Sequence, residues 1–217
     1  MLASLAFVAL AFAGTHLALG LLAVPYPGPL AVLAGLAATG WSLRARGDTL
    51  AALGLVRPGG SGRLLLASIG TAAAGYAAAI AATLLATRGL GWAPAEVARF
   101  ADLPGNLPLL LGLLALSWTI AAFGEEVLFR GFLQPRLAAA FGGTGGAGIL
   151  AAFAQALLFG LGHAYQGATG MLVTATLGLV FGLLYLRLRS LWPLVIAHGL
   201  IDSVGMLALF AGAGAPG

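Results

Sequence analysis

The chain has 217 residues, of which 61% are hydrophobic and only 7% charged, and its mean hydropathy is +1.05. Soluble domains are about a quarter charged, so a single water-facing globule is excluded and the bilayer must be the main solvent. No cysteine is present, which removes disulfides, thiolate metal sites and cysteine nucleophiles, and the net charge of +4 fits the arginine excess of cytoplasmic loops and is not a nucleic-acid signal.

Seven apolar stretches follow one another, over residues 2–24, 29–43, 64–86, 107–129, 146–163, 169–186 and 191–212. Most reach the roughly 20 helical residues that a bilayer crossing needs, and the second is short. The first lacks the positive flank of a signal peptide and runs into "PYPGP", so it reads as a retained span. The expectation is an all-α, polytopic integral membrane bundle of about seven transmembrane helices. It forms a single membrane domain, with three helices and their loops in residues 1–106 and a chemistry-bearing core in residues 107–217. Between the second and third spans, "RGDTLAALGLVRPGGSGR" predicts a loop with a short interfacial helix ended by Pro58.

Every basic residue is arginine, which suggests a bacterial gene of high GC content and hence a bacterial cytoplasmic membrane. Arg44, Arg46, Arg57 and Arg63 lie between spans two and three, Arg130 and Arg136 follow span four, and Arg187 and Arg189 separate spans six and seven. The other side holds Arg88 and Arg99, offset by Glu96 and Asp102. Positive charge stays inside, so the amino terminus is expected in the cytoplasm and the carboxyl terminus outside.

Span four ends in "FGEEVLFR", which spends two of the six acidic residues on one spot. An ionised side chain at mid-bilayer costs roughly 2.5 to 3.5 kcal/mol, so these groups must pair or face water inside the bundle. Glu126 and Arg130 are four apart on one helix face, within ion-pair reach, whereas Glu125 points about 100° away. The same spacing joins Phe159 to His163 in "FGLGH" and His198 to Asp202 in "HGLID". Three late helices could therefore set Glu125, His163, His198 and Asp202 around one cavity.

Taken singly, each piece has a plainer explanation. A glutamate–arginine pair at a helix end is usually an interfacial ion pair, and a histidine near an interface, such as His16, usually packs or snorkels. The combination shifts the balance, because intramembrane ionisable groups are costly and usually functional.

In this order, "EEVLFRGFLQPRL", "FGLGH" and "HGLID" resemble the EExxxR, FxxxH and HxxxN/D motifs of the CPBP family, the CAAX protease and bacteriocin-processing proteins, which include the type II CAAX prenyl endopeptidases. The resemblance covers residues 107–205. It implies a glutamate-dependent intramembrane endopeptidase in which Glu125 and His163 activate water and His198 and Asp202 stabilise the oxyanion. Glu126 and Arg130 would be a supporting ion pair. Position 202 is aspartate where the prenyl peptidases carry asparagine, and an ionised aspartate cannot donate to an oxyanion; it must be protonated or orient His198.

No serine elbow, HExxH or GxGD motif competes. No cofactor is expected. A divalent metal on Glu125, His163 and His198 is the second reading, since His2Glu sets bind catalytic zinc. From another class come a catalytically idle membrane scaffold or immunity protein of the same fold and, third, a transporter, for which no inverted repeat is found. The expected partners are the lipid bilayer and a membrane peptide or protein substrate, with no nucleic acid. A bacterial source argues against a prenylated substrate. One geometric conflict arises: Glu125 lies near one end of span four and His163 near the far end of span five, about 22 Å away at 1.5 Å per residue. The expected resolution is that span four continues to Leu133 while span five starts later and breaks at Gly160 and Gly162.

Overall fold

The computed structural model describes residues 2–24, 27–57 and 59–212. It is all helical, with seven rods: α1 (Leu2–Leu21), α2 (Pro27–Arg46), α3 (Ser61–Leu84, prolonged by a π turn Leu85–Gly89), a composite fourth rod, α6 (Ala147–Gly162), α7 (Gly167–Leu188) and α8 (Trp192–Phe210). The fourth rod joins α4 (Leu107–Leu116), a wide π-type segment (Ser117–Leu133) and α5 (Gln134–Ala140) without a break. Five rods are long and apolar enough to cross a membrane, and Ala147–Gly162 is a shorter apolar helix. The protein is thus an integral membrane protein, with its large apolar side chains exposed all round, among them Leu10, Leu66 and Leu157.

The wide segment shows in its closing bond, in which the Gln134 amide donates to Phe129 O, five residues back. Asn106 starts the rod by accepting the Leu109 amide at 3.2 Å, with Pro108 in the first turn, where its missing N–H costs nothing.

Length is where the structure departs from the sequence reading, and the departure resolves the depth conflict. The rod runs past Leu133 to Ala140, so Glu125 lies fifteen residues back from its end. His163 caps α6, sixteen residues on from Ala147. The chain therefore climbs back from the 141–146 turn by almost the distance it had descended, and the two side chains arrive at one level. No break at Gly160 is needed. Gly160 is instead a close-approach point, where a Cβ would sit 2.7 Å from Ala175 Cβ and 2.8 Å from Met171 O, so α6 and α7 pack backbone to backbone.

Two other expectations change. The loop after α2 forms only a 3-10 turn, Leu50–Leu53, ended by Gly54 at φ 79°, a left-handed conformation that glycine adopts without strain. The stop assigned to Pro58 and the junction at Pro25 and Tyr26 lie outside the described residues. Arg130 is fully buried in the rod, so it does not belong to the loop charge.

The ends of the rods gather in two clusters. At one end Gly54 O accepts the Leu191 amide (2.9 Å), Val56 O accepts the Ser190 hydroxyl (2.6 Å) and Leu53 O accepts the Tyr185 hydroxyl (3.3 Å). At the other end the long loop before α4 is tied to the α6–α7 corner. There the Glu96 amide donates to Gln166 O (2.9 Å), Thr169 Oγ1 to Ala93 O (2.7 Å), and the Arg99 guanidinium lies 4.1 Å from the centre of the Tyr165 ring. A single buried core joins both halves of the chain, from Val8 and Val32 to Val127, Phe159, Phe181 and Val195.

Candidate active site

The π-type segment and α8 run antiparallel, which sets their polar residues opposite one another. Arg130 Nη1 donates to Glu126 Oε1 at 2.9 Å, one turn along the same rod, and both side chains are almost wholly excluded from solvent. From α8, His198 Nδ1 donates to the same oxygen at 2.9 Å. Glu126 therefore holds a guanidinium and an imidazole at once. A buried charge needs such company to be tolerated. Arg130 also donates to Gly178 O at 3.3 Å and lies over the rings of Phe159 and Phe181, 4.6 and 5.6 Å from their centres.

Because Nδ1–H donates to Glu126, His198 turns Nε2 to the other side of the cluster. That nitrogen is 4.0 Å from Glu125 Oε2 and 3.7 Å from Asp202 Oδ2. Glu125 accepts no hydrogen bond among the described residues, and its Oε2 is buried without a partner. The side chains here are partly open, 17% exposed for Glu125, 13% for His198 and 27% for Asp202.

His163 stands one ring away. Its Nδ1 is 2.8 Å from Phe159 O, and a carbonyl only accepts, so Nδ1 carries the proton and Nε2 is the lone-pair nitrogen of the neutral ring. Among the described residues no hydrogen bond or ion pair links His163 to Glu125, His198 or Asp202. Phe159 bridges them, its ring centre 4.7 Å from that of His163 and 6.4 Å from that of His198. The FxxxH spacing thus supplies both the carbonyl that orients His163 and the ring between the two histidines.

Several polar partners escaped the sequence reading. Ser117 Oγ donates to Asp202 Oδ2 at 2.7 Å, and Trp118 Nε1 donates to Ser203 Oγ at 3.1 Å. Gln134 Nε2 donates to Gly182 O at 2.9 Å and Gln155 Nε2 to Gly178 O at 2.8 Å, both side chains being buried. Gln155 is an isolated polar residue in an apolar run, which was the available signal there. His16 stacks on Phe12, with ring centres 6.5 Å apart, and among the described residues no hydrogen bond or ion pair joins it to any of these.

Among the described residues no three or more His, Asp or Glu side chains are grouped closely enough to hold a metal ion. The arrangement is that of a helical membrane protein with a polar cluster inside the bundle, in which Glu126 holds Arg130 and His198 through Oε1 while its Oε2 is buried without a partner, and Glu125 accepts no hydrogen bond at all among the described residues. Residues 107–204 match the family model described as Type II CAAX prenyl endopeptidase Rce1-like. That stretch begins at the first residue of α4 and ends within α8, so it contains every residue of the cluster, and the CAAX-protease likeness of the three motifs holds for it; the family is one of proteases. No curated protein and no solved structure matches the chain.

Proposed function

We propose that the protein is an intramembrane endopeptidase that hydrolyses a peptide bond in a membrane peptide or protein, using water activated by Glu125 and His163. The asymmetry of the two glutamates carries this reading. Glu126 accepts from both Arg130 and His198 on Oε1, leaving only its Oε2 unpartnered, while Glu125 accepts no hydrogen bond among the described residues and sets its buried Oε2 in front of His198 Nε2. A buried carboxylate left without a donor costs stability, and a base that must accept a proton from water has to be kept that way.

In the proposed reaction the water oxygen attacks the peptide carbonyl carbon as one proton passes to the Glu125 carboxylate, with His163 Nε2 as the second acceptor that aims the water. The resulting oxyanion takes a hydrogen bond from His198. Since Nδ1–H is held by Glu126, that donation comes from Nε2–H of the imidazolium. Breakdown of the tetrahedral species breaks the C–N bond, and the amine leaves with the proton held by Glu125.

The arginine pattern supports a cytoplasmic amino terminus. Arg44, Arg46, Arg57, Arg63, Arg187 and Arg189 flank the end tied together by Gly54, Val56 and Leu191, and the Glu96–Gln166 end carries Arg88 and Arg99 offset by Glu96 and Asp102. A bacterial cytoplasmic membrane is the setting proposed. The deciding experiment incubates the purified protein in bilayers with a panel of membrane peptides, with and without a prenyl group, in H2(18)O. Hydrolysis puts one heavy oxygen into each new carboxyl terminus and Glu125→Gln does not. Intact peptides with wild type, together with stable capture of one of them, would instead establish a non-catalytic binding protein.

A further inference from the structure

A serine inside a helix ordinarily turns its hydroxyl back to the carbonyl four residues earlier. Ser68 does so to Leu64 O, Ser203 to Gly199 O, and Thr119 to Ala115 O. Ser117, two residues before Thr119 and almost completely buried, does not; its hydroxyl crosses to α8 and donates to Asp202 Oδ2 at 2.7 Å. The oxygen it chooses is the one that lies 3.7 Å from His198 Nε2.

We propose that Ser117 is a positioning residue, which holds the Asp202 carboxylate beside His198 so that Asp202 serves the oxyanion only through the His198 ring. This rests on the peptidase reading. An asparagine at 202 would accept from Ser117 with its oxygen and still offer an N–H to the oxyanion. An aspartate has two acceptors and no donor, so it can act on the oxyanion only by placing its carboxylate 3.7 Å from the His198 ring, whose Nε2–H stays free to donate. The three groups form a line, hydroxyl to carboxylate to imidazole, and Glu126 fixes the far side of the ring. Next to it lies a control: Trp118 Nε1 bonds Ser203 Oγ and ties the same two helices, with neither residue in the line.

The test compares Ser117→Ala, Ser117→Thr, Trp118→Phe, Asp202→Ala and the Ser117→Ala/Asp202→Ala double variant in bilayers. Loss of one such bond is expected to lower kcat about tenfold with KM changed less than about twofold. Ser117→Thr should restore the rate, Trp118→Phe should leave it unchanged, and Ser117→Ala should add nothing to Asp202→Ala. Should Ser117→Ala fail to fold, Ser117→Cys, a weak donor of similar size, replaces it. A loss equal to that of Trp118→Phe, or losses that multiply in the double variant, would overturn the proposal. A second readout does not need catalysis. The chain has three histidines, so 15N-histidine spectra are simple, and the His198 Nε2 resonance should move in Ser117→Ala and stay in Trp118→Phe. An unmoved resonance defeats the positioning role whatever the activity; a moved one with no cleavage by wild type defeats only the peptidase reading.

Discussion

The cluster has two sides built on different terms. Towards Arg130 the groups are fully buried, and Glu126, Arg130, Gln134 and Gln155 reach across to the imidazole and to the carbonyls of α7. Towards Asp202 the side chains are partly open and Glu125 has no hydrogen bond among the described residues. His198 belongs to both, with Nδ1 on the closed side and Nε2 on the open one. The difference teaches how one helix can carry two adjacent glutamates at a cost the fold tolerates: one is neutralised to hold a ring, and the ring then faces the other.

The largest effect should come from the open side. Glu125→Gln, near-isosteric but unable to accept a proton from water, should lower kcat by about 100- to 10,000-fold, with its melting curve unchanged or raised, since a carboxylate without a donor is removed. A melt depressed as far as that of Glu126→Gln would erase the distinction between the two sides.

Glu126→Gln should do the reverse first, lowering stability by about 3 to 5 kcal/mol, because it leaves Arg130 buried without its counter-charge. Since the same carboxylate oxygen holds His198, turnover should fall as well, in the fraction that is still folded. Denaturant unfolding beside single-turnover cleavage separates the two losses, and an intact fold with no activity would exchange the roles of the glutamates.

His163→Ala should cost about 100-fold in kcat while unfolding changes little, as its bond to Phe159 O lies within one helix. The same assay run with a strong chelator should show no change; full loss reversed by zinc would place a metal between Glu125 and the histidines. The smallest effect is expected for Gln155→Leu, about 1 kcal/mol of stability, because the variant removes both a bond to Gly178 O and the unpartnered Oε1. A change in kcat there would mean that Gly178 O, which Gln155 shares with Arg130, couples this outer part of the closed side to His198 through Glu126.

How much of this was legible beforehand differs by residue. The Glu126–Arg130, Phe159–His163 and His198–Asp202 spacings place each pair on one face of one helix, because the helical period is local. Ser117 opposite Asp202, and one carboxylate oxygen shared by Arg130 and His198, depend on the relative rotation and register of two helices far apart in the chain. No local pattern encodes those.

By itself the sequence determined the membrane class, seven helices and the residue types at the cluster, since burying so many apolar side chains leaves few solutions and each ionisable group in them is conspicuous. Tertiary structure alone decided the level at which those groups meet. The fourth rod gains a turn and a half or more beyond Leu133 and α6 returns over the same length, and where a helix stops inside a continuous apolar run is set by what packs against its end.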